Sequence, residues 1–93
     1  MSRPSLLELA ERVESLRGEN NAIDVLVEIA LFEPDERWAS IRANAAGTKA
    51  IATSRMGNDA TFWAKDWTWD ADQRAATAAA LRARAAQDRH HDQ

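Results

Sequence analysis

The chain of 93 residues contains no cysteine, three glycines and two histidines. Without cysteine it can form no disulfide, no thiolate metal site and no thiol nucleophile. Gly18, Gly47 and Gly57 stand too far apart to make a glycine-rich phosphate loop. His90 and His91 lie in a segment that we expect to be a frayed tail, which would not hold a general base in place. We therefore expect no enzymatic activity, no cofactor and no metal site.

Long apolar runs are also missing. The most apolar stretch, residues 25–32, is interrupted by Glu28 and followed by Pro34, so it is too short to span a bilayer. Arg3 is followed by several glutamates within the next turns, which is not the pattern of a secretory signal. These features predict a cytoplasmic protein without a membrane partner.

The charge is unevenly distributed, although the net charge is only −3. Residues 1–35 hold three basic and eight acidic groups, residues 36–69 hold five basic and three acidic groups, and residues 70–93 balance. Only the middle of the chain is therefore suited to a polyanion. The acidic first part predicts a secondary acidic surface, which is either a solvated helix surface or a surface that occupies a basic channel. Its members are Glu8, Glu11, Glu14 and Glu19.

A helix is predicted directly after Ser5. The Ser5 hydroxyl can cap the first amides while Glu8, three residues later, completes a capping box. Leucine, alanine and valine then recur at helical spacing. Gly18 fits the position after a helix end, where a left-handed conformation is favoured.

A second helix is predicted over residues 22–32, with a cap from Asn20 or Asn21. Its valines and isoleucines also favour a strand, but its length and cap favour a helix. Asp24 and Glu28, four residues apart, are predicted to form its solvent-facing stripe. A paired-acid or metal site at these two carboxylates is the less favoured alternative.

Three short strands with short links predict an antiparallel meander in the middle of the chain. The first segment alternates apolar and polar residues, and both a strand and a short helix remain open for it. Turns are predicted between successive strands. The three segments are residues 36–43, 49–55 and 61–69.

Three of the four tryptophans fall in the third predicted strand. A two-residue period would place Trp63, Lys65, Trp67 and Trp69 on one face and Phe62 on the other. The three tryptophans should then be buried together or exposed together, unless a bulge intervenes. Aromatic residues on both faces exceed the needs of one small core, so part of this strand is expected to face a partner.

The last predicted helix covers residues 71–88, with Asp70 as its cap and Gln73 completing a capping box. Its composition is mostly alanine, and Leu81 is its only large apolar side chain. This helix must therefore approach its neighbour closely. Together these elements predict an α+β fold in the order ααβββα, with a single domain over residues 1–89 and a flexible tail over residues 90–93.

The tryptophans and nearby basic residues predict a partner-binding surface. Tryptophan and arginine are enriched at protein hot spots, and aromatic side chains beside basic ones also suit stacking on single-stranded nucleic acid. The competing interpretation is that some of the tryptophans fill the core. The predicted partner-binding residues are Arg42, Arg55, Trp63, Lys65, Trp67 and Trp69.

A resemblance to a known family rests on residues 6–14 with Gly18, 29–32, 42–49, 63–68 and 77–84. In these segments the chain resembles a family of small phage and prophage proteins related to the phage ABA-sandwich domain group. It implies no catalytic residues. What it implies is a genomic context in which small proteins often bind and block host machinery.

From these observations we expect a non-catalytic phage protein that binds a host protein or nucleoprotein complex in the cytoplasm of the bacterial host. An inhibitor of host defence in the manner of an anti-CRISPR protein is the specific form of this hypothesis. One alternative is a nucleic-acid-binding accessory protein that uses the sheet. Others are a self-assembling structural component of the phage and a homodimer that buries the tryptophans in pairs.

Overall fold

Among the described residues, three helices and three strands follow one another in the predicted order. The structure, a computed structural model, describes residues 4–91. The order is ααβββα and the fold class is α+β, which confirms the predicted architecture. The elements are α1 (Leu6–Ser15), α2 (Asn21–Leu31), β1 (Trp38–Ala43), β2 (Ala50–Ser54), β3 (Asp59–Phe62) and α3 (Ala71–His91).

Helix α1 begins as predicted but ends earlier. The Ser5 hydroxyl accepts a hydrogen bond from the Glu8 amide at 3.1 Å, which satisfies one of the free donors of the first turn. The helix ends at Ser15, and Leu16 follows in an extended conformation. The proposed role of Gly18 was therefore wrong: the chain leaves the helix before Gly18, which does not adopt a positive φ.

The other two helices begin at the predicted side-chain caps. The Asn20 side chain accepts from the Ile23 amide at 3.0 Å, and Asp70 accepts from the Gln73 amide at 2.7 Å. Helix α3 continues to His91, beyond the predicted end at residue 88. Residues 92–93 of the predicted tail lie outside the described residues.

The sheet is antiparallel, with β2 between β1 and β3. Residues 38–43 form a strand. The first predicted segment, for which both a strand and a short helix were open, is therefore a strand. The two turns use glycine where a positive φ is needed, with φ of 71° at Gly47 and 88° at Gly57. The predicted meander is thus confirmed.

The third strand differs from the prediction of residues 61–69. It starts at Asp59 and ends at Phe62. After Phe62 the backbone amides of Lys65 and Thr68 donate to side chains of α2 rather than to β2. These long-range hydrogen bonds override the strand preference of the local sequence.

The two faces of the sheet differ in composition. The inner face lies towards α2, which packs on β1 and β2, and it carries the buried Ala50 and Ala52. Their paired neighbours on this face are Ile41, Ala43, Ala60 and Phe62. The outer face is mostly polar and consists of Ser40, Arg42, Ile51, Thr53, Asp59 and Thr61.

The main core lies among the three helices rather than under the sheet. Helix α3 packs extensively on α1, and its alanines permit the close approach that its composition predicted. Leu81 is fully buried there. The buried cluster consists of Leu9, Ala10, Val13, Val27, Ala78 and Leu81. Across residues 4–91, none of the helices combines the length and the apolar character needed to cross a membrane.

Candidate functional site

Residues 63–70, which we name the tryptophan loop, connect β3 to α3 and are held by a carboxylate of α2. Glu28 Oε1 accepts a hydrogen bond from the Lys65 amide at 2.9 Å and another from Trp67 Nε1 at 3.1 Å. One oxygen thus satisfies a backbone donor and an indole donor of the same loop. This arrangement fixes the path of the chain after Phe62.

A second carboxylate of α2 holds the loop at Thr68, which is fully buried. Asp24 Oδ1 accepts from the Thr68 amide at 2.9 Å and from the Thr68 hydroxyl at 2.8 Å. The Thr68 hydroxyl oxygen in turn accepts from the Asn20 amide at 2.8 Å. Thr68 therefore links the loop to both the cap and the first turn of α2.

Helix α3 completes the anchoring from the opposite side. The Thr77 hydroxyl donates to the Trp67 carbonyl at 2.8 Å, and Arg74 Nη1 donates to the Thr68 carbonyl at 3.0 Å. Among the described residues, every buried side-chain nitrogen or oxygen has a hydrogen-bond partner. The tryptophan loop, which connects β3 to α3, is therefore held in place by hydrogen bonds to both α2 and α3.

Burial of the Asp24 side chain, which is 5% exposed, raises the pKa of its carboxyl group. The two hydrogen bonds from Thr68 act in the opposite direction and favour the carboxylate. The negative charges of Asp66 and Glu28 add a smaller upward effect on this pKa. Desolvation is the largest of these influences.

The prediction that Asp24 and Glu28 form a solvent-facing stripe was therefore wrong. Their i,i+4 spacing does place them on one face of α2. That face is covered by the tryptophan loop, so Asp24 is buried and Glu28 is half-buried. Their structural role depends on partners 37 to 44 positions further along the chain.

The three tryptophans of the loop do not share one environment, contrary to the prediction from strand parity. Trp67 is half-buried and packs against the helical core. Trp63 is 65% exposed and Trp69 is 61% exposed. The physical reason is that residues 63–69 form no strand, so the two-residue alternation does not apply to them.

Two tryptophans of the loop each make a cation–π contact with a lysine. Lys49 Nζ is 4.5 Å from the centroid of the Trp63 ring. Lys65 Nζ is 5.6 Å from the centroid of the Trp67 ring. Both distances fall within the range in which an ammonium group is attracted to an aromatic face. The exposed Trp63 therefore has a basic neighbour, Lys49, which directly precedes β2.

The two predicted arginines make contacts within the protein. Arg42 donates from Nη1 to the Thr53 hydroxyl and from Nη2 to Asp59 Oδ2, both at 2.8 Å. Hydrogen bonds from Arg42 and Thr53 lower the pKa of Asp59. Arg55 Nε donates to the Asp35 carbonyl at 2.9 Å. Both guanidinium groups thus already have acceptors.

The six predicted partner-binding residues do not form one continuous platform. Arg42 lies on the outer face of the sheet, and Arg55 lies just after β2. Lys65 and Trp67 line a groove on the inner side. Trp63 and Trp69 project from the tryptophan loop into solvent.

That groove, which the sequence pattern did not predict, has a volume of about 420 Å³. It lies where α2 leaves part of the inner sheet face uncovered, beside the tryptophan loop. Its walls are mainly apolar, with Glu28 and Lys65 as the charged residues. It is lined by Glu28, Leu31, Phe32, Trp38, Ile41, Ala52, Ala60, Phe62, Lys65 and Trp67. The alternation of Ile41, Ala52 and Ala60 indicated an apolar sheet face, but not how much of that face α2 would cover.

The acidic residues of the predicted secondary surface are all exposed. Glu14 forms an ion pair with Arg82 of α3, and this hydrogen bond lowers the pKa of Glu14. Glu8 lies in the first turn of α1, where a negative charge interacts favourably with the helix dipole. At least two of the four glutamates therefore stabilise the helices.

Within the described part of the chain, no group of three or more His, Cys, Asp or Glu side chains is arranged to hold a metal ion. Comparison of the sequence and structure with protein-family models, curated proteins and solved structures found no match.

Proposed function

We propose that this protein is a non-catalytic binding protein that contacts a protein partner with the tryptophan loop. The observation that carries the proposal is the pair of exposed indoles, at 65% for Trp63 and 61% for Trp69, on a loop whose backbone is fixed by α2 and α3. Large aromatic side chains contribute strongly to protein interfaces when a partner covers them. A fixed loop also loses little conformational entropy on binding.

More specifically, we propose a phage-encoded inhibitor that binds a host protein or nucleoprotein complex, in the manner of an anti-CRISPR protein. The resemblance to small phage proteins supports this context. The predicted acidic surface supports it too, because Glu11 in α1 and Glu19 between α1 and α2 are exposed, and such charges could occupy a basic nucleic-acid channel. Charge reversal at Glu11 should then weaken inhibition more than the same change at Asp88 in α3, which is also exposed.

The test of protein binding is an affinity capture from lysate of the bacterium that carries the gene, with and without nuclease. The test variant is Trp63→Ala/Trp69→Ala, and the control is Met56→Ala, a change in the turn between β2 and β3 at a side chain that is 88% exposed. A partner that resists nuclease and is lost only in the tryptophan variant is the expected result. Equal capture by both variants would refute the assignment to the tryptophan loop.

One contact favours a second function, the binding of single-stranded nucleic acid. Lys49 Nζ lies over the exposed Trp63 ring, and a base could stack on that ring while the ammonium contacts a phosphate. Titration with single-stranded DNA should then quench tryptophan fluorescence, with an affinity that falls as salt rises. Fluorescence unchanged by DNA and by RNA would rule out this alternative.

A further inference from the structure

The groove beside the tryptophan loop combines an apolar wall with one uncommitted cation. Ile41 contributes apolar surface from β1, Ala60 and Phe62 contribute it from β3, and Lys65 also lines the groove. Among the described residues, no carboxylate oxygen lies within salt-bridge distance of the Lys65 ammonium group. Its neighbour within the groove is the Trp67 ring. Three ammonium protons are therefore available to an acceptor that enters the groove.

The other charged residue of the groove is already engaged. Glu28 Oε1 accepts two hydrogen bonds, from the Lys65 amide and from Trp67 Nε1. These two N–H donors partly offset the negative charge of the Glu28 carboxylate on the side that faces the tryptophan loop. The groove thus offers an unpaired positive group and a negative group with two donors bound.

We propose that this groove binds a small amphipathic carboxylate, such as a medium-chain fatty acid. The carboxylate would pair with the Lys65 ammonium group, and the hydrocarbon body would cover the apolar inner face of the sheet at Ile41, Ala60 and Phe62. A volume of about 420 Å³ is within the range of small-molecule sites. A few polar groups in a mainly apolar cleft are also typical of such sites.

Binding can be measured with the tryptophans that line the groove. Trp38 and Trp67 line it, whereas Trp63 and Trp69 do not. In a Trp63→Phe/Trp69→Phe background, fluorescence therefore comes only from the two groove tryptophans. Octanoate, octanol and octylamine are the probes, because they share a chain length and differ in the charge of the head group.

The structure supplies a matched pair of variants. Lys65→Met removes the ammonium group at the groove and keeps an apolar stem, whereas Lys49→Met removes a lysine that also lies over a tryptophan but does not line the groove. We expect octanoate to give a saturable signal that weakens about fivefold in the Lys65 variant. The Lys49 variant should bind octanoate like the parent.

Blocking the groove provides an independent check. Ala60→Leu should abolish octanoate binding, because the larger side chain fills the space between the strands and α2. Circular dichroism and the unfolding transition of this variant show whether the fold is retained. If the variant fails to fold, the Lys65 and Lys49 comparison decides alone.

Several results would overturn the proposal. Octylamine binding as tightly as octanoate would show that the Lys65 ammonium group does not set the preference of the groove, and tighter binding of octylamine would assign that preference to Glu28. Unchanged octanoate affinity in Lys65→Met, or no saturable signal with any probe, would also refute it. A concentration-dependent dimer that shields Trp38 and Trp67 without ligand would assign the groove to a second copy instead. None of these outcomes depends on the partner capture described above, since Trp63 and Trp69 lie outside the groove.

Discussion

Replacement of Thr68 by valine tests the anchoring of the tryptophan loop most directly. Valine has nearly the shape of threonine, so Thr68→Val removes the hydroxyl without opening a cavity in this fully buried position. Two hydrogen bonds are lost, one to the Asp24 carboxylate and one from the Asn20 amide, both 2.8 Å long in the parent.

The expected loss follows from these two bonds. A neutral hydrogen bond contributes about 1 kcal/mol and one to a charged group about 1.5–3 kcal/mol. We therefore expect Thr68→Val to lower the free energy of unfolding by about 3 kcal/mol. For a domain of this size, such a loss lowers the melting temperature by roughly 12 to 24 °C.

Thr68→Ser is the matched control because it keeps the hydroxyl and removes only a methyl group. It should cost about 1 kcal/mol. Urea unfolding followed by far-UV circular dichroism measures both variants under the same conditions. If Thr68→Val costs no more than Thr68→Ser, the hydroxyl network does not stabilise the loop. A double-mutant cycle with Asp24→Ala should also show a coupling energy of about 1 kcal/mol or more.

Three further predictions concern side chains around the loop and the sheet. Glu28→Ala should lower the free energy of unfolding by about 1–2 kcal/mol, since two donors lose their acceptor, and it should shift tryptophan emission to longer wavelength. Glu28→Gln is the control because it keeps an acceptor oxygen. An equal effect of the two variants would contradict the prediction. The raised pKa of Asp24 means that the folded state binds more protons than the unfolded state between the two pKa values, so this group makes stability fall as pH rises through that window. Asp24→Asn should therefore gain stability relative to the parent as pH rises above about 4, the usual pKa of an aspartic acid. Urea unfolding at each pH measures this difference, and a loss of stability relative to the parent would contradict the prediction. Arg42→Ala breaks the ion pair with Asp59, in which the two side chains are 50% and 48% exposed. It should lower the free energy of unfolding by less than about 1 kcal/mol, as measured by thermal unfolding. A much larger loss would mean that the outer sheet face depends on this pair.

Local signals in the sequence were sufficient for the helices and for the order of the elements. Ser5, Asn20 and Asp70 cap the three helices because a side-chain oxygen next to the first turn meets a free amide. The alanines of α3 likewise indicated a close helix contact. Each of these predictions depends on residues within one turn of each other.

The candidate site depends on contacts between distant parts of the chain, which the local pattern does not contain. The residues from Thr61 to Trp69 have the composition of a strand, but hydrogen bonds to the carboxylates of Asp24 and Glu28 hold residues 63–69 in a loop. Those hydrogen bonds join residues 37 and 44 positions apart. The groove was missed for the same reason, since it depends on how far α2 extends across the sheet.

The packing of α1 on α3 has a consequence for synthesis on the ribosome. Among the described elements, α1 precedes its main partner α3, and α2 and the sheet are synthesised between them. The nascent chain must therefore expose the apolar side of α1, including Leu9 and Val13, until α3 has emerged. The α1–α3 core forms only after that point, and chaperones have time to bind the exposed side of α1 beforehand.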